Sequence, residues 1–135
     1  MGDQHIRAAL DRHWAASQAG DDDAEDEIYH DDAVLEFPQS GERFEGVENF
    51  REWRRRYPAR LRFHTRRITH RADLVVVENL ISYNGAPWML TVNILEFRGD
   101  RVAHERIYIM EPWPAAEWRT PWRSERAADA PFPPL

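Results

Sequence analysis

The sequence predicts an α+β domain, with helices gathered at the amino-terminal end and a long antiparallel meander after them. Three observations carry that expectation. Apolar residues recur at helical spacing only before residue 58. From residue 60 onward come four long extended segments, separated by Arg71-Ala72-Asp73, Asn84-Gly85 and Gly99-Asp100. Asn-Gly is the strongest two-residue hairpin signal a sequence carries. Finally, 135 residues with 42% apolar content are enough for one core and too few for two.

The first helix is expected over residues 4–19, where Ile6, Ala9, Leu10, His13, Trp14 and Ser17 form one stripe. Asp3 can cap its first turn, and Gly20 supplies a left-handed stop. A second helix is expected over about 22–30, its start marked by Asp21, Asp22 and Asp23 at the positive end of the helix dipole. A third runs from Val47 to about Tyr57, with Phe50, Trp53 and Tyr57 on one side and Pro58 ending it. Residues 33–37 read as a short strand closed by Pro38, and 60–71, 73–84, 86–98 and 101–111 as the meander. The segment from Pro112 onward is rich in Pro and Trp. Trp113, Trp118 and Trp122 are expected to dock, and residues 127–135 to fray.

Composition removes whole classes of chemistry. With no cysteine there is no disulfide scaffold, thiolate zinc site or cysteine nucleophile. No apolar leader or membrane span is legible, so a cytoplasmic protein with no membrane partner is expected. All 18 basic residues are Arg. Nine of them fall in residues 50–71, whereas residues 1–49 hold 14 acidic side chains against three basic ones. The net charge of −6 argues against nucleic acid as a partner. His30-Asp31-Asp32 splay apart at a helix end, and no metal site is expected.

The order of elements resembles the nuclear transport factor 2-like superfamily. Local text carries the likeness: Ala19-Gly20-Asp21, then Tyr29-His30-Asp31-Asp32-Ala33 running to Phe37-Pro38, then Gly46, and later Phe97-Arg98-Gly99-Asp100-Arg101-Val102. This stretch is similar to SnoaL-like polyketide cyclases and ketosteroid isomerases. The resemblance implies a SnoaL-like domain over residues 1–112, with 113–135 as an extension packing on it. It implies a cone-shaped, strongly curved, mostly antiparallel sheet wrapped around the helices, an apolar pocket for a small hydrophobic molecule, no cofactor, and a homodimer. The isomerase site does not carry over. Its oxyanion tyrosine falls on His13, its general-base aspartate on Phe37 and its second aspartate on Leu95.

The register of this resemblance turns Leu35, Phe37, Val75, Val77, Asn79, Ile81, Tyr83, Thr91, Asn93, Leu95, Phe97, Glu105, Ile107 and Ile109 inward, and period-two alternation supports it, since the 75–83 and 105–109 sets are mostly apolar. Glu105 is the leading catalytic candidate, because a carboxyl in an apolar cavity has a raised pKa and can move protons near neutrality. His13, on the apolar stripe of the first helix, is its expected partner; the competing reading is a core imidazole satisfied by one hydrogen bond. Asn79, Thr91 and Asn93 are expected to orient a substrate, with Trp14, Tyr29, Phe37 and Tyr108 as walls. Trp113 and Trp118 are expected over the pocket mouth. These residues suit an acid–base enzyme of isomerase, cyclase or dehydratase type, or a non-catalytic binding or scaffold protein of the same fold. Epoxide hydrolysis needs an Asp–Arg–Asp set inside the pocket, and the inward positions offer one acid and no Arg. Glu36, Glu78, Glu96, Arg62, Arg66, Arg106, His64 and His104 have the opposite phase and are expected on the outer face. With Trp88 there too, that face is the expected dimer surface.

Overall fold

The computed structural model describes residues 2–135. Helix α1 spans Asp3–Ala19 and buries Ile6, Leu10, His13 and Trp14 along the expected stripe. Its N-cap is Gly2, without a side-chain cap, and Asp3 instead holds Arg7 one turn on at 2.7 Å. Gly20 ends the helix at φ 73°, a conformation that costs glycine nothing. Helix α2 is only Asp22–Asp26, opened by the Asp21 carboxylate accepting from the Ala24 N–H. It ends four residues before expected because Ile28 and Tyr29 are buried in the sheet layer, and the Ile28 carbonyl accepts from Val102 N–H at 2.8 Å.

Strand β1 (Tyr29–Phe37) therefore starts earlier than the sequence suggests, and a short β2 (Glu42–Glu45) that the pattern did not reveal returns against it. Helix α3 covers Val47–Arg55. The meander follows as β3 (Leu61–Arg71), β4 (Leu74–Tyr83), β5 (Met89–Arg98) and β6 (Arg101–Met110). Strand β5 begins three residues late: Pro87 has no N–H for a ladder, and Ser82 Oγ donates to the Ala86 carbonyl across the turn. Asn84 and Gly85 both sit at positive φ, as the hairpin signal requires.

The six strands form one sheet in the order β2-β1-β6-β5-β4-β3. All pairs are antiparallel except β1 with β6, which is parallel. That pairing closes the meander onto the amino-terminal strand, and its register shifts between Tyr29 and Val34. The core joins Ile6, Leu10 and Trp14 of α1 and Phe50 of α3 to Leu35, Val75, Leu95 and Val102 of the sheet. This is the α+β architecture the sequence predicted.

The outer face carries the expected ladder. Glu78 pairs with Arg67, Glu36 with His104 and Arg43, and Glu96 with Arg106. The carboxy-terminal segment reverses its expectation. Trp113, Trp118 and Trp122 are 83, 73 and 79% exposed, with Glu117–Trp122 in a 3-10 turn. Residues 129–133, expected to fray, lie against the sheet: Asp129 pairs with Arg66 and Arg67, and the Pro133 carbonyl accepts from the Trp88 indole at 2.7 Å.

Candidate active site

A cavity of about 530 Å³ opens between the inward face of β3–β6 and helices α1 and α3, within the 300–1,000 Å³ typical of small-molecule sites. Its body is apolar and aromatic, with Trp14, Phe37, Trp53, Phe63, Ile81, Ile107 and Ile109 among the lining. Glu105, Asn93, Thr91, His13, Glu25 and Arg54 form its polar part.

The register explains the sheet-borne groups. Glu105 lies opposite Leu95 of β5 and Leu35 of β1, so its side chain shares the inward face and is 1% exposed. Tyr29 Oη donates to Glu105 Oε1, and Asn93 Nδ2 donates to Oε2 at 2.8 Å. Thr91 Oγ1 in turn donates to Asn93 Oδ1 at 3.1 Å, which fixes the amide with its NH₂ toward Glu105. Burial raises the Glu105 pKa above the ordinary carboxylate value, while the hydrogen bonds from Tyr29 and Asn93 and the Arg54 charge pull the other way. Burial and the neighbouring Glu105 together push the Tyr29 phenol well above its usual range, so it stays a donor.

Helices supply the rest. Arg54 follows Phe50 by one turn on α3, which carries its guanidinium onto the apolar stripe. Nη1 donates to Asp26 Oδ1 at 3.0 Å, Nε lies 3.7 Å from Glu25 Oε2, and Nη2 reaches Tyr29 Oη at 3.5 Å. The rings of Tyr29, Phe50 and Trp53 lie within 5.6 Å of its central carbon. Burial opposes the Arg54 charge, but Tyr29, Glu25 and Glu105 more than offset it and hold the guanidinium cationic. Burial raises the Glu25 pKa, against the pull of Arg54.

His13 Nδ1–H donates to the Glu25 backbone carbonyl at 2.6 Å, which fixes the neutral tautomer and leaves Nε2 as an acceptor. Burial and the nearby Arg54 charge hold its pKa down at about 3. Its ring meets Tyr29 edge-on at 5.7 Å. The partner bonded to Glu105 is thus Tyr29 rather than His13.

Of the residues singled out from sequence, Glu105, His13, Trp14, Phe37, Thr91 and Asn93 line the cavity. Tyr29 stands behind it as the donor to Glu105. Asn79 is buried, with neither side-chain polar atom partnered. Tyr108 falls opposite Val92, in the phase opposite to Glu105, and does not line the cavity. Trp113 and Trp118 do not cover the mouth. Arg54, Glu25 and Asp26 were missed; of these Arg54 and Glu25 line the cavity, so an Arg does stand there. Arg54 had a legible signal, a cation one turn from Phe50 on an apolar stripe. Glu25 and Asp26 had none, lying inside an acidic run that reads as a helix start. Among the described residues no cluster of three His, Asp or Glu side chains could hold a metal ion. No helix among them is long and apolar enough to cross a membrane.

An incomplete cone of sheet over helices, with a polar set at an apolar cavity, defines a class of small-molecule folds. Within that class the chain belongs to the SnoaL-like domain family, whose profile matches residues 10–105. The chain is similar to an NTF-2 like protein of unknown function from Burkholderia xenovorans LB400, at 44% identity over 93% of this chain and 98% of that one, with a TM-score of 0.84. A candidate ketosteroid isomerase from Kribbella flavida shares the fold at 17% identity, covering 94% and 95% of the two chains, with a TM-score of 0.80. An LEH-like epoxide hydrolase of M. tuberculosis does so at 21% identity, over 78% and 83%, with a TM-score of 0.68. No protein of curated function matches the chain.

Proposed function

We propose that the protein is a cofactor-independent proton-transfer enzyme acting on an uncharged, hydrophobic, carbonyl-bearing small molecule, with Glu105 as the base. The observation that supports this most is the setting of Glu105: buried at an aromatic-lined cavity, with both oxygens oriented by neutral donors. A carboxylate so held keeps a second lone pair on each oxygen free for the substrate. It takes a proton from the carbon next to the carbonyl. The C–H electrons move into the carbonyl, and the resulting enolate oxygen accepts from an N–H of Arg54 not engaged by Asp26 or Tyr29. Return of the proton to another carbon gives an isomer, and loss of a leaving group gives an elimination product. His13, neutral and with Nε2 an acceptor, receives a hydrogen bond from a substrate hydroxyl or water rather than giving a proton. The charged lining is Asp22, Glu25, Glu42 and Glu105 against Arg54 and Arg55, a balance that disfavours an anionic substrate.

The test uses a series of polycyclic and monocyclic ketones in deuterated buffer. Binding is read from the fluorescence of Trp14 and Trp53, and exchange at the carbon beside the carbonyl from NMR. Wild type should exchange the bound ketone, with a rate that rises with pH through the raised Glu105 pKa. Glu105→Gln should bind it with similar affinity and exchange about 10²–10⁴-fold more slowly. Binding without exchange in wild type would favour the second reading, a non-catalytic binding protein. That reading draws on the same network, since the chain Arg54–Tyr29–Glu105–Asn93–Thr91 also serves to satisfy buried polar groups.

A further inference from the structure

We infer that the cavity selects ketones that also carry a hydroxyl, with His13 Nε2 as the acceptor that reads it; this rests on the proton-transfer reading and narrows its substrate class. The hydrogen bonds at the inner end of the cavity run in one direction. Tyr29 Oη and Asn93 Nδ2 donate to Glu105, Thr91 Oγ1 donates to Asn93 Oδ1, and the His13 Nδ1–H donates to the Glu25 backbone carbonyl. Each of those donors is engaged within the protein. What remains for a ligand is lone pairs, on both Glu105 oxygens, on Thr91 Oγ1 and on His13 Nε2. The donors left over are the second amide hydrogen of Asn93 and the Arg54 N–H groups that Asp26 and Tyr29 do not engage. Trp53 has an unpartnered indole N–H, but its nitrogen is sealed from the cavity.

His13 is the most selective of these acceptors. Glu105 faces the reacting carbon, and the Thr91 hydroxyl can rotate to meet either a donor or an acceptor. The His13 ring has no such freedom. A carbonyl only accepts, so the 2.6 Å contact with Glu25 fixes the proton on Nδ1, and the residue is 4% exposed where it lines the cavity. Burial and the Arg54 charge hold the ring's pKa at about 3, which keeps a second proton off Nε2 at neutral pH. Nε2 has no partner among the described residues. A ligand that places an ether or a hydrocarbon there strands a buried acceptor, and a ligand hydroxyl satisfies it. The His13 ring centre and the Arg54 central carbon lie 5.7 and 5.6 Å from the centre of the Tyr29 ring. The hydroxyl therefore lies near the carbonyl that Arg54 receives, not at the far end of the molecule.

Three matched ligands test this by calorimetry on the full chain: a tetralone with a hydroxyl on its saturated ring, its methyl ether, and the parent tetralone. The ether keeps the oxygen and removes the donor, and the parent controls for the added bulk. Wild type should bind the hydroxylated ketone about 10–100-fold more tightly than either analogue, because each analogue leaves Nε2 unpaired. His13→Phe should reduce that preference to within about threefold. NMR of the labelled histidine rings adds a readout that a purely structural His13 would not move, and it needs no variant. The Nε2 resonance should lie at the unprotonated position in the free protein and move toward the protonated one with the hydroxylated ketone alone. Three outcomes overturn the inference: equal affinity for the three ligands, no binding of the hydroxylated ketone at millimolar concentration, or a ligand-free Nε2 that already carries the proton. Glu105→Gln should keep the preference for the hydroxyl. A wild type that shows this preference but exchanges no ketone would sink the catalytic reading alone.

Discussion

Glu105 and Glu78 stand on opposite faces of one sheet, two strands apart, and are held in contrasting ways. Glu105 is 1% exposed and meets two neutral donors. Glu78 has a side chain 40% exposed and meets Arg67 through two hydrogen bonds, at 2.7 and 3.1 Å. Arg67 holds the Glu78 pKa below the ordinary carboxylate range, whereas burial lifts that of Glu105. The outer groups are plentiful, paired and bathed in water. The inner groups are few, and their surroundings shift them toward or away from proton transfer. Counting ion pairs would rank the outer face as the important one. The physics of burial ranks it second.

The widest separation between the two faces lies in their response to acid. Burial holds the His13 pKa at about 3, against about 6.5 for an ordinary imidazole. The folded state therefore binds fewer protons there than the unfolded chain, and stability falls as pH drops below about 6.5 toward 3. The loss amounts to about 2 kcal/mol by about pH 5 and up to about 5 kcal/mol at the lower end. His13→Phe removes this titration and sacrifices the hydrogen bond to the Glu25 carbonyl at all pH values. Denaturant unfolding of both proteins from neutral to acid pH should show the two stability curves converging. Curves that stay parallel would mean that His13 is hydrated and charged in the folded protein.

Next in size is Arg54, whose guanidinium serves Asp26, Glu25 and Tyr29 at once. Arg54→Met keeps much of the stem's packing and strands two buried carboxyls, with Arg51 at 3.2 Å as the remaining partner of Asp26. The expected cost is about 3–5 kcal/mol at neutral pH, shrinking in acid as those carboxyls take up protons. A change below about 1 kcal/mol would place Arg54 with the outer ion pairs and dissolve the contrast.

These inner and outer roles differ in how far sequence exposes them. The register of the family resemblance, extended by strand alternation, reached Glu105, Asn93 and Thr91, because a period of two fixes the face of every residue once one is known. The same rule placed Glu36, Glu78 and Glu96 outside. It was lost where regularity fails. The register shift between Tyr29 and Val34 puts Tyr29 in the sheet, where a helix was expected, and so hid the donor to Glu105. The parallel pairing of β1 with β6 joins residues some 70 positions apart, and no local pattern announces it. Arg54 was counted only as one of nine arginines in residues 50–71, although its spacing from Phe50 marked it. The tryptophans were judged by composition alone, which says which side chains a segment holds and not where they lie.

The smallest effect belongs to the outer face. Arg67 and Glu78 sit opposite each other across β3 and β4, with side chains 51 and 40% exposed. Exposed pairs of this kind contribute about 0.2–1 kcal/mol, because water screens the attraction and two long side chains lose freedom in making it. Arg67 also touches Asp129 of the carboxy-terminal segment, so a single substitution mixes two contacts. A double-mutant cycle over Arg67→Gln and Glu78→Gln isolates the strand pair, and a second over Arg67→Gln and Asp129→Asn isolates the contact with that segment. Both coupling energies should stay below about 1 kcal/mol and weaken as salt is raised from about 0.1 to 1 M. A larger, salt-insensitive coupling for the second cycle would mean that the carboxy-terminal segment shields the pair from solvent. The convex face would then hold, around Arg66 and Arg67, a buried site of the kind otherwise confined to the cavity.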